Sequence, residues 1–107
     1  MNEEWRINKD KVTRCRVDIY IGSDNISKKI DYNYLEKIKK WANATFSEGY
    51  TLIKGEGYYN GVSEDSVLLC VFLNYDPDLR HQLEKLKREL KQDVILLVKS
   101  TVDLEVI

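Results

Sequence analysis

Apolar and polar residues alternate with period two over residues 14–22, RCRVDIYIG. Cys15, Val17, Ile19 and Ile21 fall on one face; Arg14, Arg16, Asp18 and Tyr20 fall on the other. Alternation with β-branched residues predicts a half-buried strand, and GSDNISKK after it reads as a loop. Over residues 31–46 the period changes: Tyr34, Leu35, Ile38, Trp41, Ala42 and Phe46 form one helical stripe. Asp31 or Asn33 is placed to accept hydrogen bonds from the free amides at the start of this helix, and Gly49 supplies a stop.

Residues 50–59, YTLIKGEGYY, predict a second strand, in which Gly55 and Gly57 share a face with Thr51, Ile53 and Tyr59. Glycine inside a strand marks a bulge or a close approach of a backbone or ligand. Asn60-Gly61 is a turn signal, because both residues tolerate positive φ. Residues 66–73, SVLLCVFL, are apolar on both faces and suit a central strand. A helix then begins at Asp76, with Pro77 in the first helical position and Asp78 near the positive dipole end. Leu79, Leu83, Leu86 and Leu90 form its seam, and Arg80–Glu84, Glu84–Arg88 and Lys85–Glu89 pair at i,i+4 on its outer side. Residues 93–107 alternate again and predict a long, bent strand suited to pairing with another chain.

The order strand, helix, strand, strand, helix, strand is the split βαβ, or ferredoxin-like, pattern: an α+β domain with a four-stranded antiparallel sheet and two helices on one face. The domain spans residues 14–107, and residues 1–13 are expected to form an N-terminal arm with Trp5 as an anchor. The other sheet face then exposes Leu68, Cys70 and Phe72, or their odd-numbered neighbours, so a homo-oligomer, dimer or trimer, is expected.

Composition narrows the chemistry. The 107 residues carry 17 basic and 18 acidic side chains, a net charge of −1, so no global field draws nucleic acid. The third strand also lacks the aromatic signature of an RNA-binding platform. No apolar run is long enough to span a membrane, and the expected compartment is the cytoplasm. Cys15 and Cys70 lie in strand-like runs without CxxC spacing and read as reduced thiols. Two cysteines and the lone His81 do not supply a closed zinc set, and neither a metal nor another cofactor is expected. Glu56, Glu64 and Asp65 read as solvated turn acids rather than metal ligands.

What remains is a binding surface. Arg14, Arg16 and Tyr20 share a face of the first strand; Lys54, Glu56 and Tyr58 share one on the second. If those faces coincide, arginines meet phosphate, Tyr20, Tyr58 and Tyr59 stack on a base, and Lys54 with the Gly55–Gly57 backbone meets an anion. The run GYTLIKGEGYYNGVSEDSVLLCVFL, residues 49–73, resembles the middle of PII-like signalling proteins, and the likeness spans the strand order of residues 14–100. That resemblance implies a ferredoxin-like subunit, often trimeric, binding nucleotides or small anions in clefts between subunits, here at residues 54–59. The long signalling loop of that family is missing, since only residues 60–65 separate the two strands. The leading expectation is a non-enzymatic oligomeric module that captures a small anionic, nucleotide-derived ligand. The alternative is a structural or protein-interaction module built on the sheet face and C-terminal strand. A small enzyme using Glu56 or Glu64 ranks last, because the sequence displays no nucleophile–base pair.

Overall fold

The computed structural model describes residues 14–107, so the expected N-terminal arm and its Trp5 lie outside the described residues. The elements are β1 (Cys15–Gly22), α1 (Tyr32–Thr45), β2 (Thr51–Tyr59), β3 (Val62–Leu73), α2 (Arg80–Glu89) and β4 (Leu96–Thr101). They form one antiparallel sheet in the order β2-β3-β1-β4, the ferredoxin-like arrangement.

Both helices lie on the face that carries the odd-numbered residues of β1. Val17, Ile19 and Ile21 meet Val67, Leu69 and Val71 of β3 in a fully buried layer. Ile38 and Ala42 of α1 and Leu86 of α2 cover it. Asp31 caps α1 through its carboxylate, which accepts from the Tyr34 amide at 2.9 Å. Trp41 packs edge-on against Phe46, with ring centroids 5.7 Å apart, and its indole N–H donates to the Gln82 carbonyl, joining the helices.

Three boundaries differ from the sequence expectation. β3 begins at Val62 rather than at residue 66, because Asn60 (φ 51°) and Gly61 (φ 76°) form a two-residue turn that sets the hairpin pairing directly. The β2–β3 register runs unbroken from Thr51↔Cys70 to Tyr59↔Val62, so Gly55 and Gly57 mark no bulge. α2 begins at Arg80, not at Asp76: its N-cap is Leu79, and Asp76 instead takes an ion pair from Lys99 at 2.7 Å. The observed ion pair along α2 is Glu84–Lys87, at i,i+3 and 3.3 Å. The long final strand is shorter than its alternation implies. β4 ends at Thr101, opposite Cys15; the Val102 amide still donates to the Arg14 carbonyl at 3.2 Å, and residues 103–107 run on outside any strand. Among the described residues no helix is long and apolar enough to cross a membrane.

The opposite sheet face is open. It carries Tyr20, Ile53, Phe72, Leu96 and Val98, each at least 40% exposed, with Leu68 and Cys70 between them. At its centre the Arg16 Nε donates to both carboxylate oxygens of Asp18, at 2.9 and 3.2 Å, while the guanidinium lies 5.7 Å from the Phe72 ring centroid.

Candidate functional site

β1 pairs with β3 only from Ser66 onward. Residues 62–65 of β3 pair with β2 alone, so the outer half of the hairpin forms a two-stranded ribbon beyond the body of the sheet. The loop after β1 folds back against this ribbon. The Asp65 amide donates to the Lys28 carbonyl and the Ile30 amide to Asp65 Oδ2, both at 3.0 Å. Asp24 shapes that loop by accepting from the amides of Ile26 and Ser27 at 2.9 and 2.8 Å, and these donors hold its carboxyl below the ordinary value.

Where the ribbon passes the start of α1, the helix layer ends and a cleft of about 380 Å³ opens. Lys54, Gly55 and Glu56 of β2 and Asp65, Ser66 and Val67 of β3 form one side, and Ile30 with Leu35 closes the other. That volume lies in the range of small-molecule sites, about 300–1,000 Å³. Alternation explains the lining: Leu52 still packs against the core, while Lys54, Glu56 and Tyr58, on the same side of β2, extend past the helices and are exposed. The pairing Glu56↔Asp65 places two acids side by side.

Glu56 is held by its neighbours. Its Oε1 accepts from the Tyr58 hydroxyl at 2.7 Å and the Ser63 hydroxyl at 2.6 Å. These donors, Ser63 first and then Tyr58, keep its carboxyl below the ordinary value against desolvation and the like charge of Asp65, and the positive charge of Lys29 adds to the lowering. A carboxylate stabilised in this way is a poor proton acceptor and a good counter-ion. Lys54 enters no ion pair among the described residues.

A second polar cluster sits beside the base of the ribbon. The Tyr34 hydroxyl donates to the Gly22 carbonyl, Gln92 Nε2 donates to the Ser23 carbonyl at 2.6 Å, and the Ser23 hydroxyl reaches Glu64 Oε2 at 3.4 Å. Burial pushes the Tyr34 phenol up to about 12, with the negative charge of Asp24 adding to the effect. Among the described residues no group of three His, Cys, Asp or Glu side chains is placed to hold a metal ion.

The structure divides the residues singled out in the sequence. Lys54, Gly55 and Glu56 line the cleft, and Tyr58 orients Glu56 from the same side. Gly57 and Tyr59 face the other way, Tyr59 opposite Val62 and strongly exposed. Arg16 and Tyr20 lie on the open face, Arg16 already paired with Asp18. Arg14 stands just before β1, its guanidinium 3.7 Å from Asp103. The condition for a shared surface, that the two strand faces coincide, is therefore not met: the register puts Arg16 and Tyr20 on one side of the sheet and Lys54, Glu56 and Tyr58 on the other. Ile30, Leu35 and Ser66 are cleft residues that sequence reasoning missed. Counting outward from the Asn60-Gly61 turn pairs Glu56 with Asp65, a signal present in the sequence; nothing in it brings Ile30 to the ribbon.

No family model matches this chain, and no curated protein is similar to it. Among solved structures it is similar to a phage SAM lyase in complex with S-methyl-5'-thioadenosine, with a TM-score of 0.60 and 14% sequence identity over 84% of this chain and 82% of that one. The likeness is one of fold. It corrects the expectation of a non-enzymatic module: the same fold serves a lyase, so the lack of a nucleophile–base pair or metal set in the sequence does not set this chain apart from catalysis.

Proposed function

We propose that this chain is a lyase-type enzyme that takes a nucleoside-bearing sulfur compound, of the S-methyl-5'-thioadenosine class, in the cleft between the β2–β3 ribbon and the loop after β1. The observation that carries the reading is the cleft: a space of about 380 Å³ with an apolar floor and fixed charges, on a fold similar to that of a phage SAM lyase. Ile30, Leu35 and Val67 give a nucleoside an apolar seat, while Lys54, Glu56 and Asp65 supply charge at its margin. The reaction is an elimination from a sulfonium: the carbon next to the carbon–sulfur bond gives its proton to water, a carbon–carbon double bond forms, the carbon–sulfur electron pair returns to sulfur and a neutral thioether leaves. Glu56, ionised and held by two hydroxyls, is suited to face a positive centre of the substrate. Incubating the protein with S-adenosylmethionine and following S-methyl-5'-thioadenosine by liquid chromatography and mass spectrometry tests this. Product formed by the native protein and lost in Glu56→Gln is expected. No product, together with no calorimetric binding of S-methyl-5'-thioadenosine, would sink the reading.

The open sheet face supports a homo-oligomer as part of this proposal. Four strands about 4.8 Å apart, each about 3.3 Å per residue, give roughly 400 Å² over six residues, before side-chain relief is counted. Arg16 and Asp18 interrupt that area, and the exposed side chains around them, Tyr20, Ile53, Phe72, Leu96 and Val98, form the kind of apolar cluster that marks interaction sites. Sedimentation of the native protein and of Phe72→Glu is the check. An assembly that Phe72→Glu dissociates supports self-association through this face; a native monomer at micromolar concentration refutes it.

A further inference from the structure

Lys54 and Glu56 project from the same side of β2, about 6.6 Å apart along the strand at its usual rise. They do not pair with each other, and Lys54 pairs with nothing among the described residues, although Lys99 and Asp76 close to 2.7 Å elsewhere in the fold. Glu56 is prevented from turning freely toward Lys54, because Tyr58 and Ser63 both hold its Oε1. Asp65 adds a second negative group across the ladder, with Oδ2 already occupied by the Ile30 amide. The lining therefore has Lys54 at one end and two carboxylates at the other, above an apolar floor, with Lys29 near Glu56 as a single cation against those two acids.

That pattern discriminates between ligand classes. A polyanion gains one lysine and is repelled by two carboxylates. A simple cation gains the carboxylates and is repelled by the lysine. An uncharged nucleoside uses neither end. A molecule with a carboxylate and a positive centre a few ångströms apart uses both, and its bonds to charged partners are the stronger kind. We propose, resting on the cleft reading above, that the ligand carries a zwitterionic amino-acid end, its carboxylate on Lys54 Nζ and its positive centre beside Glu56. Glu56 acts there as a counter-ion rather than a base, consistent with the hydroxyl donors that depress its proton affinity. Lys54 and Glu56 are thus specificity-determining residues.

The test compares two unreactive probes by calorimetry: S-adenosylhomocysteine, which carries the amino-acid end, and S-methyl-5'-thioadenosine, which does not. Native protein, Lys54→Ala, Lys54→Arg and Glu56→Gln are titrated with each, and circular dichroism checks that the variants are folded. Lys54→Ala and Glu56→Gln are expected to weaken S-adenosylhomocysteine roughly tenfold to hundredfold, the scale of a lost charged hydrogen bond, and to leave S-methyl-5'-thioadenosine within about twofold. Lys54→Arg should recover part of the loss. If S-methyl-5'-thioadenosine binds and the variants lose both probes equally, or neither, the zwitterion assignment is overturned while the cleft reading stands. If neither probe binds native protein, both fall.

Discussion

The amide of Ile30 donates to Asp65 Oδ2 at 3.0 Å, and this bond ties the loop after β1 to a strand 35 residues further along the chain. It also closes the side of the cleft, since both residues line it. Asp65→Ala should cost about 1–2 kcal/mol, because the Ile30 amide loses a partly buried acceptor. Asp65→Asn keeps an acceptor and should cost less. Chemical denaturation measures both, and amide exchange at Ile30 should rise selectively in Asp65→Ala. Equal costs for the two variants would mean that the charge, not the hydrogen bond, holds the loop.

Glu56 should titrate below the ordinary glutamate value of 4.5, with Ser63 and Tyr58 as the causes, in that order. A depressed carboxyl adds stability that is present above the unfolded value and lost as pH falls through the lower folded one. Carboxyl NMR titration should show the Glu56 pKa rising toward its ordinary value in Ser63→Ala and, to a smaller extent, in Tyr58→Phe. An unchanged pKa in both variants would remove the case for a prepared counter-ion.

Tyr34 has the opposite sign. Its phenol is raised from 10.0 to about 12, chiefly by burial. The stability linked to its proton is full below the unfolded value of 10.0 and is lost as pH rises toward the folded value of about 12. Ultraviolet titration at alkaline pH should reveal one late-ionising tyrosine, absent from Tyr34→Phe. That variant should also lose about 1 kcal/mol at neutral pH with the bond to the Gly22 carbonyl.

Asp76 and Leu86 should respond very differently to truncation. Leu86 is fully buried beneath α2, so Leu86→Ala should cost about 2–5 kcal/mol. Asp76 makes an exposed pair with Lys99, worth no more than about 1 kcal/mol. In a double-mutant cycle Asp76→Ala and Lys99→Ala should couple; additive costs would show that the exposed pair contributes nothing to stability.

Much of the fold was legible because local patterns agree with one another. The alternation of β1 names its buried face correctly: Cys15, Val17, Ile19 and Ile21 are all in the core. The stripe of α1, its Asp31 cap and the leucine seam of α2 were equally readable, since period and capping are local properties. Asp76-Pro77-Asp78 misled for a local reason as well. It has the chemistry of a helix start, yet Lys99 of β4, a partner far away in sequence, claims Asp76 first.

The candidate site was legible in part. Lys54, Gly55 and Glu56 stood out by composition, and the Asn60-Gly61 turn sets Asp65 opposite Glu56. The pairing of Arg16 and Tyr20 with those residues failed because parity within a strand does not say which side of the sheet another strand presents. Only the register across β1 and β3 decides that.

From the sequence alone come the element order, the face that each helix and β1 bury, and the turn that builds the ribbon. All follow from neighbours within about seven residues, the reach of helical and strand periodicity. The tertiary structure alone decided that the helix layer stops short of Lys54, that the loop after β1 reaches Asp65, and that Arg16 spends its charge on Asp18. Those contacts depend on where distant segments come to rest, and no local period encodes that.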